Sequence, residues 1–183
     1  MDQGLIPRRY AKALYEVGEE RKDSDALYAA MGRLAKAFAD APGLAGTVAS
    51  PFVTKNDKAA LLITAAYGAD NNNIDPVFND FIKLLERNER LDFAREIAIA
   101  FVALYREKHS IYRVDIVSAA PMADKERARL EKIIESHIGK GTFEYDYTTN
   151  PALIGGFMVT VNSERLDASV SSQLKNLRLK LID

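Results

Sequence analysis

The sequence predicts an α+β protein that is mostly α-helical, with an N-terminal six-helix bundle followed by a small mixed α/β domain. Up to His109 the apolar residues repeat at helical spacing. From Ile111 onward, alternating and β-branched segments lie between two further helical stretches. Neither half contains a recognisable catalytic constellation. We therefore predict two domains, residues 1–109 and 110–183, in a chain that connects or binds other proteins.

Six helices are predicted in the first half from apolar stripes and from the breaks between them. The first begins at Ile6 or Pro7. The second runs from Ser24 or Asp25 to Ala39, the third from Leu44 to Ala49, the fourth from a Thr54 cap to about Tyr67, the fifth from Ile74 or Asp75 to Asn88, and the sixth from Asp92 to about His109. The sixth helix is apolar nearly all round. Such a helix belongs in the middle of a bundle.

The first and fifth helices carry more apolar surface than one neighbour covers. Helix 1 has two stripes: Ile6, Tyr10, Ala13 and Val17 form one, Ala11, Tyr15 and Gly18 form the other, and Leu14 joins them. The apolar residues of helix 5 span about 160° of arc. Two interpretations remain open. Either both helices have wide core faces, which periodicity alone favours, or part of each faces a groove for a visiting helix.

The second half alternates between strand and helix patterns. Strands are predicted at Tyr112–Ile116, Phe143–Tyr147, Phe157–Val161 and, as a short return, Arg165–Asp167, with one helix from Asp124 to Ile138. A last helix, capped by Asp167 or Ser169, carries the stripe Val170, Leu174, Leu177 and Leu181. This pattern is typical of a small α+β domain.

Composition excludes several classes of function. There is no cysteine, so no disulfide or thiolate site is possible. The net charge of −1 argues against nucleic-acid binding, which needs a basic surplus. Two histidines, His109 and His137, make a poor metal set, and we expect no metal, no cofactor and no catalytic residue. Gly155-Gly156 lacks the spacing of a phosphate-binding loop and leads into a strand.

No segment predicts direct membrane insertion. The longest apolar run, Ile97–Tyr105, is far shorter than the ~20 residues that a bilayer requires. The first residues lack the form of a secretory signal. We expect a cytosolic chain, or one that reaches a membrane only through a partner.

Three stretches, taken together and in order, resemble the F-type ATP synthase delta subunit, the oligomycin-sensitivity-conferring protein family. They are Arg9–Tyr15, Phe81–Leu91, and Pro151–Phe157 with Leu166–Val170 and the leucine-striped tail. The sequence departs from the family pattern at Asn150, where Asp is frequent, and at Ala168, where Gly is frequent. Both departures weaken any role assigned to those two positions.

The resemblance implies a non-catalytic stator subunit that links the catalytic head to the peripheral stalk and resists rotor torque. Domain 1–109 would dock on the head by holding the N-terminal helix of an alpha subunit between helices 1 and 5. The implied contacts are Ala11, Leu14, Tyr15, Gly18, Phe78, Phe81, Ile82 and Leu85. On this assignment, Leu14→Asp or Phe81→Asp should abolish docking and leave the helices folded.

Domain 110–183 would take the C-terminus of the stalk b subunit, with Leu174, Leu177 and Leu181 as the implied contacts. The resemblance also implies a peripheral location on the cytoplasmic face of a bacterial cell membrane, reached indirectly through the complex. Two alternatives stay open. One is a generic helix-binding adaptor outside ATP synthase. The other is an enzyme with a site near Asp115, Tyr145, Asp146 or Asp167.

Overall fold

The chain divides into two compact units, Met1–Glu107 and Lys108–Asp183. A computed structural model describes residues 4–68, 74–153, 155–162 and 164–169. The predicted class is confirmed, because a mostly helical chain carries one small mixed sheet. The arrangement of six helices as one bundle, and the assignment of separate roles to the two domains, stay predictions.

The elements alternate in type only after the sixth helix. The helices are α1 (Leu5–Arg21), α2 (Ser24–Asp40), α3 (Pro42–Ala49), α4 (Lys55–Tyr67), α5 (Pro76–Arg87), α6 (Ala94–Lys108) and α7 (Asp124–Ile138), with a 3₁₀ turn at Leu91–Phe93. The strands are β1 (Ile111–Ser118), β2 (Thr142–Thr149), β3 (Gly156–Val161) and β4 (Glu164–Ser169). The predicted last helix lies outside the described residues.

Side-chain caps fix the starts of two helices. Thr54 caps α4, as predicted, by accepting a hydrogen bond from the Asp57 N–H at 3.2 Å. The Asp75 carboxylate accepts hydrogen bonds from the N–H groups of Val77 at 2.7 Å and Phe78 at 3.2 Å. These bonds satisfy donors that the first turn of a helix leaves unpaired. The start of α5 is therefore defined by its own sequence.

Helix α1 packs closely against the start of α2 in the first unit. The buried residues of α1 are Pro7, Ala11, Leu14 and Gly18, which repeat at helical spacing. A β-carbon on Gly18 would lie 2.8 Å from Leu27 Cδ1 and 3.3 Å from Ser24 Cα. Gly18 therefore lets α1 approach the start of α2 more closely than any larger residue would.

The position predicted for the sixth helix is wrong. Ile97 and Phe101 on one side of α6 are fully buried, but Ile99 is 51% exposed and Ala103 is exposed as well. The helix therefore packs on one side and presents an apolar strip to solvent. Its nearly uniform apolar sequence does not arise from a central position in the unit.

The sheet of the second unit has the order β2-β1-β3-β4. Strands β1 and β2 are parallel, in a register that pairs Ile111 with Thr142, whereas β1 with β3 and β3 with β4 are antiparallel. One face packs on α7 around Val114, Ile116 and Ile134, which are almost fully buried. The opposite face carries alternating polar residues. Strand β2 is an edge of this sheet within the described residues.

An aromatic ladder covers the α7 side of β2. The rings of Phe143, Tyr145 and Tyr147 stack in sequence, with centroids 6.1 and 6.3 Å apart. The Tyr147 hydroxyl donates to the Glu131 carboxylate at 2.6 Å. The Tyr145 hydroxyl donates to Glu135 at 3.3 Å. Ring stacking thus orders the ladder along β2, and two phenol–carboxylate hydrogen bonds fasten the strand to α7.

The close approach at Gly18 predicts opposite effects for two glycine-to-alanine substitutions. Gly18→Ala should destabilise the protein by roughly 1–3 kcal/mol, because the new methyl group overpacks the contact with Leu27 and Ser24. Gly32→Ala in α2 is the matched control, since nothing lies within 4 Å of its β-carbon position. It should stabilise by up to about 1 kcal/mol. Urea denaturation measures both, and equal midpoints would contradict the packing argument.

The ladder predicts a loss of stability in alkali. Burial, and then the charge of Glu135, raise the pKa of Tyr145 to about 12 from an ordinary 10.0. Because the folded state holds this proton more tightly, its contribution is complete below pH 10 and is lost as the pH rises towards 12. Thermal unfolding across this range should show a smaller decline in Tyr145→Phe than in the parent chain. An identical decline in both would exclude Tyr145 as a source.

Candidate partner-binding surface

Helices α1 and α5 lie side by side and run in opposite directions. The ring of Tyr10 meets the ring of Phe81 edge-on, with centroids 6.5 Å apart. The side-chain amide of Asn88 donates to the Tyr10 hydroxyl at 3.1 Å. The N-terminal part of α1 is thus fixed to the C-terminal end of α5. The outer surfaces of the two helices are left to form the walls of a groove.

The α1–α5 groove is a mainly apolar depression of about 180 Å³. Its lining comprises Tyr10, Ala13, Leu14, Val17 and Arg21 from α1, with Val77, Asp80, Phe81 and Leu84 from α5. Leu14 and Phe81 are 4% and 7% exposed and form its floor. Val17 and Leu84 remain 37% and 38% exposed. An apolar helix laid here would remove both of these side chains from water.

The residues predicted to contact the partner do not all reach this groove. Leu14 and Phe81 line it. Tyr15 instead contacts the rings of Phe101 and Tyr105, with centroids 6.4 and 6.3 Å away. The other five predicted residues are buried inside the unit: Ala11, Gly18, Phe78, Ile82 and Leu85. The surface available to a partner is therefore a different stripe on each helix.

The sequence contained a signal that identifies the outer stripes. Each has a polar residue among apolar ones, Arg21 following Val17 on α1 and Asp80 preceding Leu84 on α5. A charged member marks a stripe at the edge of a core rather than inside it. The small residues of the buried stripe, Ala11 and Gly18, led to the wrong prediction that this stripe faces the groove. Gly18 is small because α2 packs against it, not because it forms part of a groove.

A second groove lies on the opposite flank of α1, against α6. Its volume is larger, at about 880 Å³, and it contains the exposed side chain of Ile99. Arg8 and Lys12 stand on its α1 side, and Glu96 and Glu107 stand on its α6 side. Helix α1 is therefore a ridge between two depressions.

The predicted stalk contacts Leu174, Leu177 and Leu181 lie outside the described residues. Both histidines, His109 and His137, are exposed. Among the residues that the structure describes, no three His, Asp or Glu side chains lie together as metal ligands would. In this same part of the chain, no helix combines the length and the apolar character needed to cross a bilayer.

The residues named for a possible enzyme site do not converge. Asp115 and Asp146 are partners in the register of β1 and β2, and Arg113 makes ion pairs with both, at 2.9 and 3.4 Å. Tyr145 points to the other face of the sheet, towards α7. The side chain of Asp167 lies outside the described part. Asp115 and Asp146 thus share one cation, Arg113, on the face of the sheet opposite α7.

A family model settles which group of proteins shares this sequence. The model for the ATP synthase delta (OSCP) subunit matches residues 6–181. The chain belongs to this family. A curated relative from Bacteroides thetaiotaomicron, named ATP synthase subunit delta, is 35% identical over 183 residues, covering 100% of this chain and 97% of the relative. A protein of the same name from Prochlorococcus marinus strain MIT 9303 is 32% identical over 177 residues, covering 96% and 94%.

A solved structure has the same fold. The match is a chain in the cryo-EM structure of the Toxoplasma gondii mitochondrial ATP synthase hexamer, with a TM-score of 0.72 and 20% identity. It covers 97% of this chain and 98% of that one. The predicted family is confirmed, and with it the function as a stator component of ATP synthase. Nothing supports the alternative of an adaptor outside this complex.

Because the groove floor is buried, substitutions there test the stability of the first unit rather than partner binding alone. Leu14→Asp and Phe81→Asp place a charge in the interior, so each should destabilise the first unit by about 3–5 kcal/mol. We therefore expect these two variants to lose stability, contrary to the prediction from sequence that they stay folded. Val17→Asp and Leu84→Asp, on exposed walls, should each change stability by less than about 1 kcal/mol. Circular dichroism during urea denaturation separates the two pairs, and four equal midpoints would contradict the burial pattern.

Proposed function

We propose that this stator subunit holds the N-terminal helix of an ATP synthase alpha subunit in the α1–α5 groove. The observation that carries the proposal is the pair of apolar walls, Val17 and Leu84, left exposed over a buried floor. An amphipathic helix fills such a groove with side chains at helical spacing. Its binding is driven by apolar area removed from water, at about 25 cal/mol per Å².

The polar members of the groove set the chemistry of the partner's flanks. Arg21 and Asp80 line the groove together with the apolar residues. A docking helix with an acidic side chain near Arg21 and a basic one near Asp80 would gain charge-assisted contacts at the edges. Such edge charges contribute to orientation more than to affinity. Apolar burial in the centre remains the main term.

The second unit is proposed to take the C-terminal part of the stalk b subunit, with Leu174, Leu177 and Leu181 among the contacts. In this arrangement the subunit is non-catalytic. It transmits torque from the head to the stalk, and it lies peripherally on the cytoplasmic face of a bacterial membrane through its partners. Slow dissociation is the physical requirement, since a stator must hold its partner against repeated load.

Binding of a synthetic peptide, the N-terminal segment of an alpha subunit, tests the groove assignment by isothermal calorimetry. Val17→Asp and Leu84→Asp should each weaken binding at least about tenfold. Each puts a charge where apolar area would otherwise be buried, and 1.4 kcal/mol corresponds to tenfold in affinity. Ile133→Asp, at a 55% exposed position on α7, is the matched control and should bind like the parent chain.

Ile99→Asp distinguishes the two grooves that flank α1. It should leave peptide affinity unchanged, because Ile99 lies in the α1–α6 groove. Weaker binding by Ile99→Asp, with unchanged binding by Val17→Asp and Leu84→Asp, would move the partner to the other side of α1 and overturn the proposal.

A further inference from the structure

The α1–α6 groove contains apolar side chains that the first unit leaves uncovered. Ile99 is 51% exposed, and Ala103 is exposed one helical turn further along α6. Half-buried Ala100 and Leu104 lie beside them in the lining. These four residues form the α6 strip. They repeat at the spacing with which one helix packs against another, and an uncovered apolar strip of this kind is typical of an interaction surface.

The opposite wall of the groove is made of small residues. Buried Pro7 and Ala11 form it, with Gly4 at the start of α1. Short side chains let a visiting helix lie close to the floor. A helix suits this space better than an extended strand does, because both walls are helices whose backbone groups are already paired. A strand laid between them would leave its own N–H and C=O groups without partners.

Charges of opposite sign stand on the two walls. Glu96 and Glu107 lie on α6 and Arg8 lies on α1, and all three are exposed. Within the described residues, no hydrogen bond or ion pair engages any of these three side chains. Lys12, the other cation on the α1 wall, is already paired with Glu16 at 3.8 Å. The α6 wall therefore offers two free carboxylates, and the α1 wall offers one free guanidinium.

The spacing of the two carboxylates matches a helix that lies along α6. Glu96 and Glu107 are eleven residues apart. At 1.5 Å and 100° per residue they lie on nearly the same side of α6, about 16 Å or three turns apart. Ile99 and Ala103 fall between them. A visiting helix with two cations three turns apart would meet both carboxylates and cover the α6 strip between them, while an acidic side chain on its other flank would meet Arg8.

A second copy of this chain is a poor occupant. Two α6 helices packed strip to strip about a two-fold axis run antiparallel, and the same flank of each helix then faces the other. This packing would place Glu96 of each copy opposite Glu107 of the other. Because like charges brought together oppose association, the free acidic flank disfavours a symmetric dimer on this surface.

We infer that the α1–α6 groove receives an amphipathic helix of another ATP synthase subunit. This helix has Lys or Arg about three turns apart on the flank that faces α6, Asp or Glu on the flank that faces α1, and a narrow apolar face between them. The inference goes beyond the proposed contact at the α1–α5 groove, since it assigns a second partner helix to the other flank of α1. With this helix bound, α6 is covered on nearly every side, which accounts for its nearly uniform apolar sequence.

Photocrosslinking in the assembled synthase tests the inference. With p-benzoylphenylalanine at Ile99 or, in a second variant, at Ala103, irradiation should link both positions to one segment of another subunit. That segment should carry two cations about eleven residues apart, which is three helical turns. The same label at Ile133, which is 55% exposed on α7, is the control and should not reach that segment. The absence of links to another subunit, or links to a segment without this charge pattern, would overturn the inference.

Charge reversal tests the flanks with a designed peptide as the probe. The peptide is a capped helix with lysines three turns apart on one flank of a leucine–alanine face and a glutamate on the other flank. Glu96→Lys combined with Glu107→Lys should weaken its binding to the full chain at least about tenfold and make a version with glutamates in place of the lysines the better ligand. Calorimetry measures both affinities, and no binding of the lysine peptide to the parent chain would contradict the inference.

Glu20→Lys combined with Asp40→Lys is the matched control. It changes the net charge equally at two exposed positions outside the groove. This double variant should bind the lysine peptide within about threefold of the parent chain. Equal weakening in the two double variants would show a general effect of net charge and would overturn the assignment of the flanks.

Two substitutions at exposed positions separate this inference from the proposed function. Ile99→Asp should abolish binding of the designed peptide and leave the alpha-subunit peptide bound, and Val17→Asp should do the reverse. If only the alpha-subunit peptide binds the parent chain, the second partner helix fails and the α1–α5 assignment stands. If only the designed peptide binds, the opposite holds. A parent chain that sediments as a dimer, and as a monomer in Ile99→Asp, would make a second copy the occupant and overturn the inference.

Discussion

The contact between α1 and α2 is the constraint on which the binding surface depends. Gly18 brings α1 within van der Waals contact of Leu27 and Ser24. This contact, with buried Ala11 and Leu14, sets the rotation of α1 about its axis. Rotation decides which stripe faces the interior and which faces outward. Because α5 then packs alongside α1, the composition of the groove follows from a contact on a neighbouring face of the helix.

This dependence explains what sequence could and could not predict. Helix and strand positions follow from apolar spacing, caps and breaks, so Thr54 and Asp75 mark real helix starts. Periodicity also shows that α1 has two apolar stripes. It does not say which stripe is buried, because that choice belongs to α2. A small residue such as Gly18 suits a close helix contact as well as a shallow groove, and only the packed structure distinguishes them.

The same limit applies to α6. Its sequence is apolar on nearly every side, which is typical of a central helix. The structure instead leaves Ile99 and Ala103 at the surface. In a stator subunit that assembles with other ATP synthase subunits, apolar side chains can serve partners as well as the core. Hydrophobicity along the sequence therefore overstates how deeply such a helix is buried.

The α1–α5 groove has a defined length. On α1 its lining runs from Tyr10 to Arg21, and at 1.5 Å per residue this is about 16 Å, or three helical turns. A visiting helix longer than three turns extends past the groove, and the overhanging part makes no contact with its walls. In the proposed complex, that overhang would act as a tether whose length can change without altering the contacts inside the groove.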